Sequence, residues 1–238
     1  MADVFLCGAL ADPALLGLVA DGAETRPAML PGYRLVAVAD GAVTLPARGQ
    51  GTVSGRVLTP DAATRDRLDF LARALGGAPQ AATARVDGQD HPVTIWASVS
   101  ADAADPADPS PAMRDALLAA VPDILALQGS ADPVAVHRRL TPMLVRAASR
   151  LRAAKAAPHD LRRAPENGDV TVTRRQTPYA NFFAVEEADL SFRRFDGSHS
   201  PTVNRAAFIS GDAVTLLPYD PVRDRVLIIE QFRAGPFL

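Results

Sequence analysis

The sequence GDAVTLLPYDPVRDRVLIIEQFR, from Gly211 to Arg233, decides what fold we expect for the C-terminal part of the chain. Two apolar runs, Val214–Leu217 and Val226–Ile229, flank residues that favour a turn, among them Pro221, whose ring fixes φ. Two β-forming runs joined in this way predict a buried hairpin. Arg233 follows the second run, and its planar set of donors suits a phosphate group. Because only five residues follow Arg233, we expect the chain to stop inside a domain and to leave an apolar strand edge unpaired.

The composition is that of a folded protein with a nearly neutral charge. Of the 238 residues, 48% are hydrophobic and 22% are charged, and the net charge of −2 argues against nucleic acid as a partner. Cys7 is the single cysteine, so we expect a reducing, cytoplasmic location. No apolar run reaches the roughly 18–20 residues that cross a bilayer, so no membrane partner is expected. The four histidines are isolated in the sequence, and we predict no metal site from them.

The N-terminal residues combine a strand, a glycine turn and a short helix. Val4–Cys7 is an apolar run, Gly8-Ala9-Leu10 turns out of it, and Asp12 is placed to cap a helix over Pro13–Val19. Such a turn presents free backbone N–H groups, so Gly8, Ala9 and Leu10 are candidate residues for binding an anion or a small ligand.

The following residues predict a mostly β domain that ends near residue 100. Alternating apolar residues indicate strands, leucines at helical spacing indicate an amphipathic helix, and Asp87-Gly88 favours a tight turn. The expected elements are strands at Gly41–Leu45 and Val53–Leu58, a helix at Pro60–Leu75, and a hairpin of Ala81–Val86 with Pro92–Ser98.

Residues 1–100 resemble the γ-glutamylcyclotransferase-like barrel. The resemblance is carried by Phe-Leu-Cys-Gly-Ala-Leu, Leu-Pro-Gly-Tyr-Arg-Leu, Gly-x-Val-x-Gly-x-Val and Arg-Leu-Asp-Phe, in this order. It implies that the loop at Gly8 binds the ligand and that a glutamate shortly after the Leu-Asp pair moves a proton. Here Cys7 replaces the loop tyrosine and Ala72 stands where the glutamate is expected. Because alanine cannot transfer a proton, we predict that cyclotransferase chemistry is lost and that a structural or ligand-binding role remains.

Cys7 is also a conceivable nucleophile. No histidine lies close to it in the sequence, and a cysteine at a strand end is typically a small buried apolar residue. We therefore expect Cys7 to belong to the core.

Two helices are expected in the region 108–156, behind the barrel or bridging it to the next domain. The first covers Pro111–Gln128 with a kink or interruption at Pro122, and the second runs from Asp132 to about Ala154 despite Pro142. Linkers are expected on either side of this region, at Ser100–Pro111 and Ala156–Gly168.

Three arginines, Arg146, Arg150 and Arg152, lie near one another on the second helix. One interpretation is a site for an anion or a partner. The other, which we favour, is a solvated helix face with favourable charge near a helix C-terminus.

The last segment, 168–238, predicts an antiparallel sheet. Its residues alternate between apolar and polar, and Asp196-Gly197 favours a hairpin turn. The expected strands are Val170–Arg175, Phe182–Phe195 and Val203–Phe208.

This segment resembles the N-terminal half of ADP-ribose pyrophosphatases of the Nudix family. The motifs are Phe-Phe-x-Val-Glu-Glu, Phe-Asp-Gly-Ser-x-Ser, Val-x-Arg, Gly-Asp-Ala-Val-x-Leu-Leu-x-Tyr-Asp-Pro-x-Arg-Asp and Glu-Gln-Phe-Arg. The resemblance implies a homodimer formed by exchanged strands, with a nucleoside diphosphate sugar bound between subunits. By position, Phe182 stacks on adenine, Arg205 contacts the nucleotide and Arg233 meets the phosphates; the alternative for Phe182 is a core residue. Ala206 departs from the family, which has glutamate after this arginine.

Nudix hydrolysis uses Mg²⁺ held by glutamates of a Gly-x5-Glu-x7-Arg-Glu-x2-Glu-Glu helix, and the 238 residues contain no match to this spacing. We therefore assign no catalytic and no metal-binding residue, and we expect the chain as given to be inactive. The combination of a cyclotransferase-like domain with this half is similar to bacterial fusions described as tellurite-resistance proteins with a Nudix domain.

The expected fold class is α+β, with a small mixed β-barrel, a helical pair and an antiparallel β segment that forms an incomplete Nudix fold. Two functions follow as hypotheses. The first is an enzyme that hydrolyses ADP-ribose to AMP and ribose 5-phosphate when its domain is complete. The second is a non-catalytic module that binds a small ligand or a protein through a degenerate barrel. An active cyclotransferase is a third possibility, which fails at Ala72 unless another acid approaches in space.

Overall fold

The protein has an α+β fold, described here from a computed structural model over residues 2–39, 41–99, 110–155, 166–212 and 215–229. Most of both predicted linkers and the motif Glu230–Arg233 lie outside the described residues.

Five strands form a closed barrel in the first hundred residues. Their order is β1-β3-β2-β4-β5, and a parallel contact of Val4 with Thr94 closes the barrel between β5 and β1. The remaining neighbours pair in antiparallel fashion. The strands are β1 (Val4–Leu6), β2 (Thr25–Val38), β3 (Val43–Leu58), β4 (Gly77–Val86) and β5 (Gln89–Ser98).

The turn between β4 and β5 confirms the predicted hairpin. Asp87 and Gly88 have φ values of +53° and +80°, as required at both central positions of a turn that matches strand twist. The prediction of two strands at Gly41–Leu45 and Val53–Leu58 is wrong, because β3 is continuous across the glycines. Its partner β2 has 14 residues against the 16 of β3, and their register shifts between Pro31 and Tyr33.

Two helices pack on the barrel; the first begins at Pro13, as predicted, and the second begins at Ala62, two residues after the predicted start at Pro60. Asp12 caps α1 (Pro13–Val19) by accepting from the N–H of Ala14 at 2.8 Å. Asp61 caps α2 (Ala62–Ala74) by accepting from the N–H of Thr64 at 2.7 Å. The leucines predicted to form one face near α2 are buried; they are Leu68, Leu71 and Leu75.

The alternation of β1 divides the apolar interior into two clusters. Val4 and Leu6 join a cluster shared with the helices, whereas Phe5 and Cys7 join one formed by residues of the barrel strands. Because successive side chains of a strand point to opposite faces, one face of β1 packs against the helices and the other packs against the barrel strands.

Three helices follow: α3 (Pro111–Leu125), α4 (Pro133–His137) and α5 (Leu140–Ala153). The prediction of one helix from Asp132 to about Ala154 is wrong, because the helix is interrupted between α4 and α5. The physical reason is Pro142, whose ring would clash with the carbonyl of Arg138, four residues earlier, in a continuous helix. Placed in the first turn of α5, Pro142 has no hydrogen bond to lose.

α3 continues through Pro122, so the predicted interruption there does not occur. None of the helices in the described ranges is long and apolar enough to cross a membrane.

The last part of the chain forms an antiparallel sheet of β6 (Val170–Ala180), β7 (Ala184–Phe192) and β8 (Val203–Ile209). Three strands are present, as predicted, but β6 extends beyond the predicted Arg175 to Ala180, and β7 is shorter than the predicted Phe182–Phe195 at both ends. In the described residues from 166 onward, only Ala184 and Ser200 are buried. This sheet therefore lacks an apolar core of its own within the described part of the chain.

The hairpin predicted around Pro221 is present but is neither long nor buried. Only Tyr219–Asp220 (β9) and Arg225–Val226 (β10) pair. Leu216 and Ile228, in the flanking apolar runs, are 83% and 82% exposed. The prediction of a buried hairpin is wrong because burial of apolar runs requires a covering layer, and no described element provides one.

Candidate functional site

The predicted loop at Gly8-Ala9-Leu10 borders a cavity of about 320 Å³. The loop is a 3₁₀ turn over Gly8–Ala11. Gly8 has a φ of +55°, and a Cβ on it would lie 2.4 Å from the Thr44 Oγ1 atom. Only glycine fits this position, for both conformational and steric reasons. Gly8 and Ala9 line the cavity, whereas Leu10 is buried in the core.

Helix α3 forms one side of this cavity through Leu117 and Leu118. The lining is mostly apolar, and Thr44 supplies a hydroxyl. Thr44 is only 8% exposed and belongs to the cavity lining. A hydroxyl in an otherwise apolar lining can donate a hydrogen bond to, or accept one from, a ligand that enters the cavity.

An ion pair lies at the edge of the cavity. The Arg114 Nε donates to Asp12 Oδ2 at 2.5 Å, and Nη2 donates to Oδ1 at 3.1 Å. Burial would raise the pKa of Asp12, but hydrogen bonds from Arg114 and from the N–H groups of Ala14 and Leu15 outweigh it and hold the pKa below its usual value. Arg114 thus connects α3 to the cap of α1.

The cyclotransferase position is occupied by Ala72, which is buried in the core and carries no proton acceptor. Asp69 lies one turn earlier on α2. Its carboxylate accepts from the indole N–H of Trp96 at 2.8 Å and lies 3.6 Å from the guanidinium of Arg73. This carboxylate holds α2 against β5 and has no role in the cavity lining.

Cys7 is buried, as predicted. Burial raises the pKa of its thiol from 9.0 to about 12. Because the thiolate is the nucleophile, this environment disfavours the reactive form.

In the C-terminal segment, Phe182 lies on the turn between β6 and β7 and is 69% exposed. Its ring meets the ring of Phe183 edge to face, with centroids 4.8 Å apart. Phe183 in turn lies 4.9 Å from the ring of Phe208 on β8. Phe182 is therefore a surface aromatic that rests on other aromatic residues, and the alternative of a core residue does not fit its exposure.

Arg205 lies on β8 and is exposed, and its guanidinium donates to the carbonyl of the adjacent Asn204. In the sheet, Arg205 lies opposite Ala188 of β7, and Ile209 lies opposite Ala184, the first residue of β7. Phe182 lies just before Ala184. Ala184 and Ala188 are four residues apart along β7, which corresponds to roughly 13 Å. The structure places Phe182 and Arg205 on one sheet without direct contact, and Arg233 lies outside the described residues.

No group of three metal-binding side chains occurs in the described ranges. Glu186 lies 4.0 Å from the guanidinium of Arg175, and Glu187 accepts from the side chain of Gln176 at 2.7 Å. The described residues do not fit a Mg²⁺ site.

Of the three arginines of α5, Arg150 and Arg152 lie at the surface, as we favoured, with side chains 38% and 52% exposed, whereas Arg146 does not. Arg146 is only 8% exposed, and its Nη1 lies 3.3 Å and 3.5 Å from the carbonyl oxygens of Asn181 and Phe182. Arg152 pairs with Asp212, and only Arg150 stays within the helical region, where it pairs with Asp123 at 2.6 Å. Charge periodicity could not reveal these contacts, because the acceptors are backbone oxygens and a carboxylate far away in the sequence.

No family model matches the chain. It is similar to the ADP-ribose pyrophosphatase of Escherichia coli strain K12, with 42% identity over 69 residues, which are 29% of this chain and 33% of the relative. The ADP-ribose pyrophosphatase of Haemophilus influenzae is 34% identical over 67 residues, which are 28% of this chain and 31% of the relative.

Solved structures resemble the chain only loosely. A gamma-glutamyl cyclotransferase superposes with a TM-score of 0.40 and 13% identity, covering 70% of this chain and 94% of that one. A protein from Arabidopsis thaliana superposes with a TM-score of 0.37 and 22% identity, covering 42% of this chain and 64% of that one. Neither score identifies a fold by itself. The chain spans about a third of the length of the curated relatives that it matches, and those relatives are ADP-ribose pyrophosphatases.

Proposed function

We propose that segment 168–238 forms part of the substrate-binding surface of a pyrophosphatase that acts on a nucleoside diphosphate sugar, with ADP-ribose as the substrate. The observation that carries this proposal is the 42% identity over 69 residues to a protein described as an ADP-ribose pyrophosphatase. Because the match spans a third of that relative, the complete activity belongs to the proposal as well.

Three residues have roles in this proposal. The exposed ring of Phe182 stacks on adenine, for which an aromatic face without a covering layer is suited. Arg205 contacts the nucleotide from β8, and Arg233 binds the phosphates through its fork of donors. The distance between the positions of Phe182 and Arg205 along the sheet favours an extended ligand over a single phosphate.

Hydrolysis to AMP and ribose 5-phosphate would use Mg²⁺ in the family that the sequence resembles. Because no described residues fit such a site, we assign no metal ligand and no hydrolytic step to this chain. The proposal also includes a homodimer through segment 168–238, supported by the exposed apolar residues of its strands. It further includes a cytoplasmic location, supported by the single cysteine.

Isothermal titration of the 238-residue chain with ADP-ribose tests this function. We expect saturable binding that weakens by about tenfold in Phe182→Ala, because a base stacked on an aromatic ring contributes about 1–3 kcal/mol. Arg205→Ala is expected to weaken binding too, and Phe195→Ala, at another exposed aromatic residue, is the control. Release of AMP with Mg²⁺ is expected to be undetectable. Absence of saturable binding by folded protein would contradict the proposal.

A second candidate is a small-ligand module in the barrel, favoured by the mostly apolar cavity whose lining includes Thr44 and Leu118. An apolar lining with the Thr44 hydroxyl and the neutralised Asp12–Arg114 ion pair at its edge suits a short aliphatic amide. Thermal denaturation with valeramide is expected to raise the melting temperature of the wild type and of Phe182→Ala. Leu118→Trp, which fills the cavity, is expected to remove the shift. The two candidates thus respond to different substitutions.

A further inference from the structure

Helix α5 lies against one end of the C-terminal sheet. β6 ends at Ala180, β7 begins at Ala184 and β8 ends at Ile209. Ala184 pairs with Ala180 on one side and with Ile209 on the other, so these three strand termini lie at the same end of the sheet. The turn 181–183, which carries Phe182, lies at that end, next to α5.

Two arginines of this helical region hold the turn by its backbone. Arg139 donates to the carbonyl of Ala180, and Arg146 Nη1 lies 3.3 Å from the carbonyl oxygen of Asn181 and 3.5 Å from that of Phe182. The last two distances are at the long end for hydrogen bonds, but a buried guanidinium and carbonyl dipoles attract one another strongly at low dielectric. Arg146 has no carboxylate within ion-pair distance in the described part of the chain. The turn supplies its acceptors.

A second set of contacts fixes the same helix to the residues after β8. Ser149 donates to Asp212 Oδ1 at 2.8 Å, and Arg152 Nε donates to Oδ2 at 2.5 Å. A Cβ on Gly211 would lie 2.7 Å from Val145 Cγ1, so the backbone approaches the helix closely there. Contacts at both positions leave the turn little freedom to move relative to α5.

We propose that Arg139 and Arg146 are positioning residues, which fix the backbone of residues 180–182 and thereby orient the ring of Phe182 for a nucleotide base. This inference rests on the proposed function of Phe182. The guanidinium groups of Arg139 and Arg146 hold the backbone of the turn, while the side chain of Phe182 remains 69% exposed. A preoriented aromatic ring loses less conformational entropy when a base stacks on it.

The matched comparison is Arg146→Met against Arg150→Met in the full chain. Both substitutions keep an unbranched side chain and remove a guanidinium from the same helix, but Arg150 contacts only Asp123 and the Ala119 carbonyl in the helical region. We expect Arg146→Met to weaken ADP-ribose binding by about tenfold and Arg150→Met to leave it unchanged. Arg146→Lys, which keeps a charge without the planar fork, is expected to fall between them. In a Phe182→Ala background, Arg146→Met is expected to cost no further affinity.

Hydrogen exchange of the amides of residues 181–184 gives a readout that does not need the ligand. Faster exchange is expected in Arg146→Met and not in Arg150→Met. If wild-type protein fails to bind ADP-ribose, the proposed function fails, and unchanged exchange in Arg146→Met is then the result that overturns the positioning role. If wild-type protein binds, equal affinities of the two arginine variants, or a further loss in the Phe182→Ala background, overturn it.

Discussion

The role of Arg146 is determined by the groups that surround its guanidinium. A guanidinium stays charged under nearly all conditions, so burying it requires acceptors. Here the acceptors are carbonyl oxygens at a turn, and desolvation lowers the pKa of Arg146 from its usual value. Arg150, one turn along the helix, has an exposed carboxylate partner instead. Position in space thus gives two neighbouring arginines different roles.

Cys7 leads to a prediction about pH and reactivity. The pKa of its thiol is about 12 in the folded protein against 9.0 ordinarily, so at pH 8 the thiolate fraction is about 1000-fold lower than in the unfolded chain. We expect iodoacetamide to modify native protein correspondingly more slowly than urea-unfolded protein, as measured by mass spectrometry. Similar rates in both states would contradict the buried environment.

The same shift has a consequence for stability. Because the folded pKa is raised, the contribution of Cys7 is fully present below pH 9 and is lost as the pH rises from 9 towards 12. The loss is at most about 1.4 kcal/mol per pH unit. Cys7→Ala, which has no thiol, is the control and is expected to show a flatter decline in this range.

At the scale of elements, α2 and β5 are joined by the hydrogen bond from Trp96 to Asp69. Asp69→Ala leaves a buried indole N–H without an acceptor and is expected to cost about 1–3 kcal/mol, whereas Asp69→Asn keeps an acceptor and is expected to cost less than about 1 kcal/mol. Trp96 is the only tryptophan, so its fluorescence during urea unfolding measures both variants. Equal losses in the two variants would show that the hydrogen bond is not the cause.

The same contact bears on chemistry. Asp69 is the acidic residue nearest in sequence before Ala72, and its carboxylate is occupied by Trp96 and Arg73. The carboxylate therefore serves the packing of α2 on β5. Asp69 therefore does not supply an acid or base to a ligand in the cavity, and the Asp12 carboxylate, which does line the cavity, is paired with Arg114.

At the scale of the whole molecule, the two parts of the chain differ in how they bury apolar residues. Among the described residues, the barrel and its helices contain nearly all of those that are buried, whereas apolar side chains of the sheet β6–β8 face solvent. An exposed edge strand with apolar residues is a surface for pairing with another chain. This contrast motivates the homodimer in the proposed function.

Light scattering during size-exclusion chromatography tests whether the chains associate through this sheet. We expect the wild-type protein to have a molar mass above that of a monomer. Val172→Lys on edge strand β6 is expected to lower this mass towards that of the monomer, because a lysine there disfavours strand pairing. Val134→Lys on α4 is the matched control, since Val134 and Val172 are 44% and 46% exposed. A monomeric wild type, or equal effects of both lysines, would count against association through this sheet.

Several elements follow from the sequence because their signals are local. Asp12 caps a helix within three residues of itself, and Asp87-Gly88 specifies a turn that needs positive φ at both positions. The leucine spacing of α2 likewise depends only on helical periodicity. The α+β class with a small mixed β-barrel was also predicted, from motifs that resemble a known family, whereas the number and order of the barrel strands were not.

Other features were decided only by the tertiary structure. The hairpin around Pro221 has two apolar runs typical of a buried element, yet burial requires a second layer, which the runs themselves cannot supply. The interruption at residues 138–139 separates two helices with different neighbours, since α4 packs on α2 and α5 packs on α3. The buried state of Arg146 depends on carbonyl groups more than thirty residues away in the sequence. The sequence by itself thus determined local geometry and the chemical types available, while long-range contacts determined which charges are buried and which aromatic ring is left exposed.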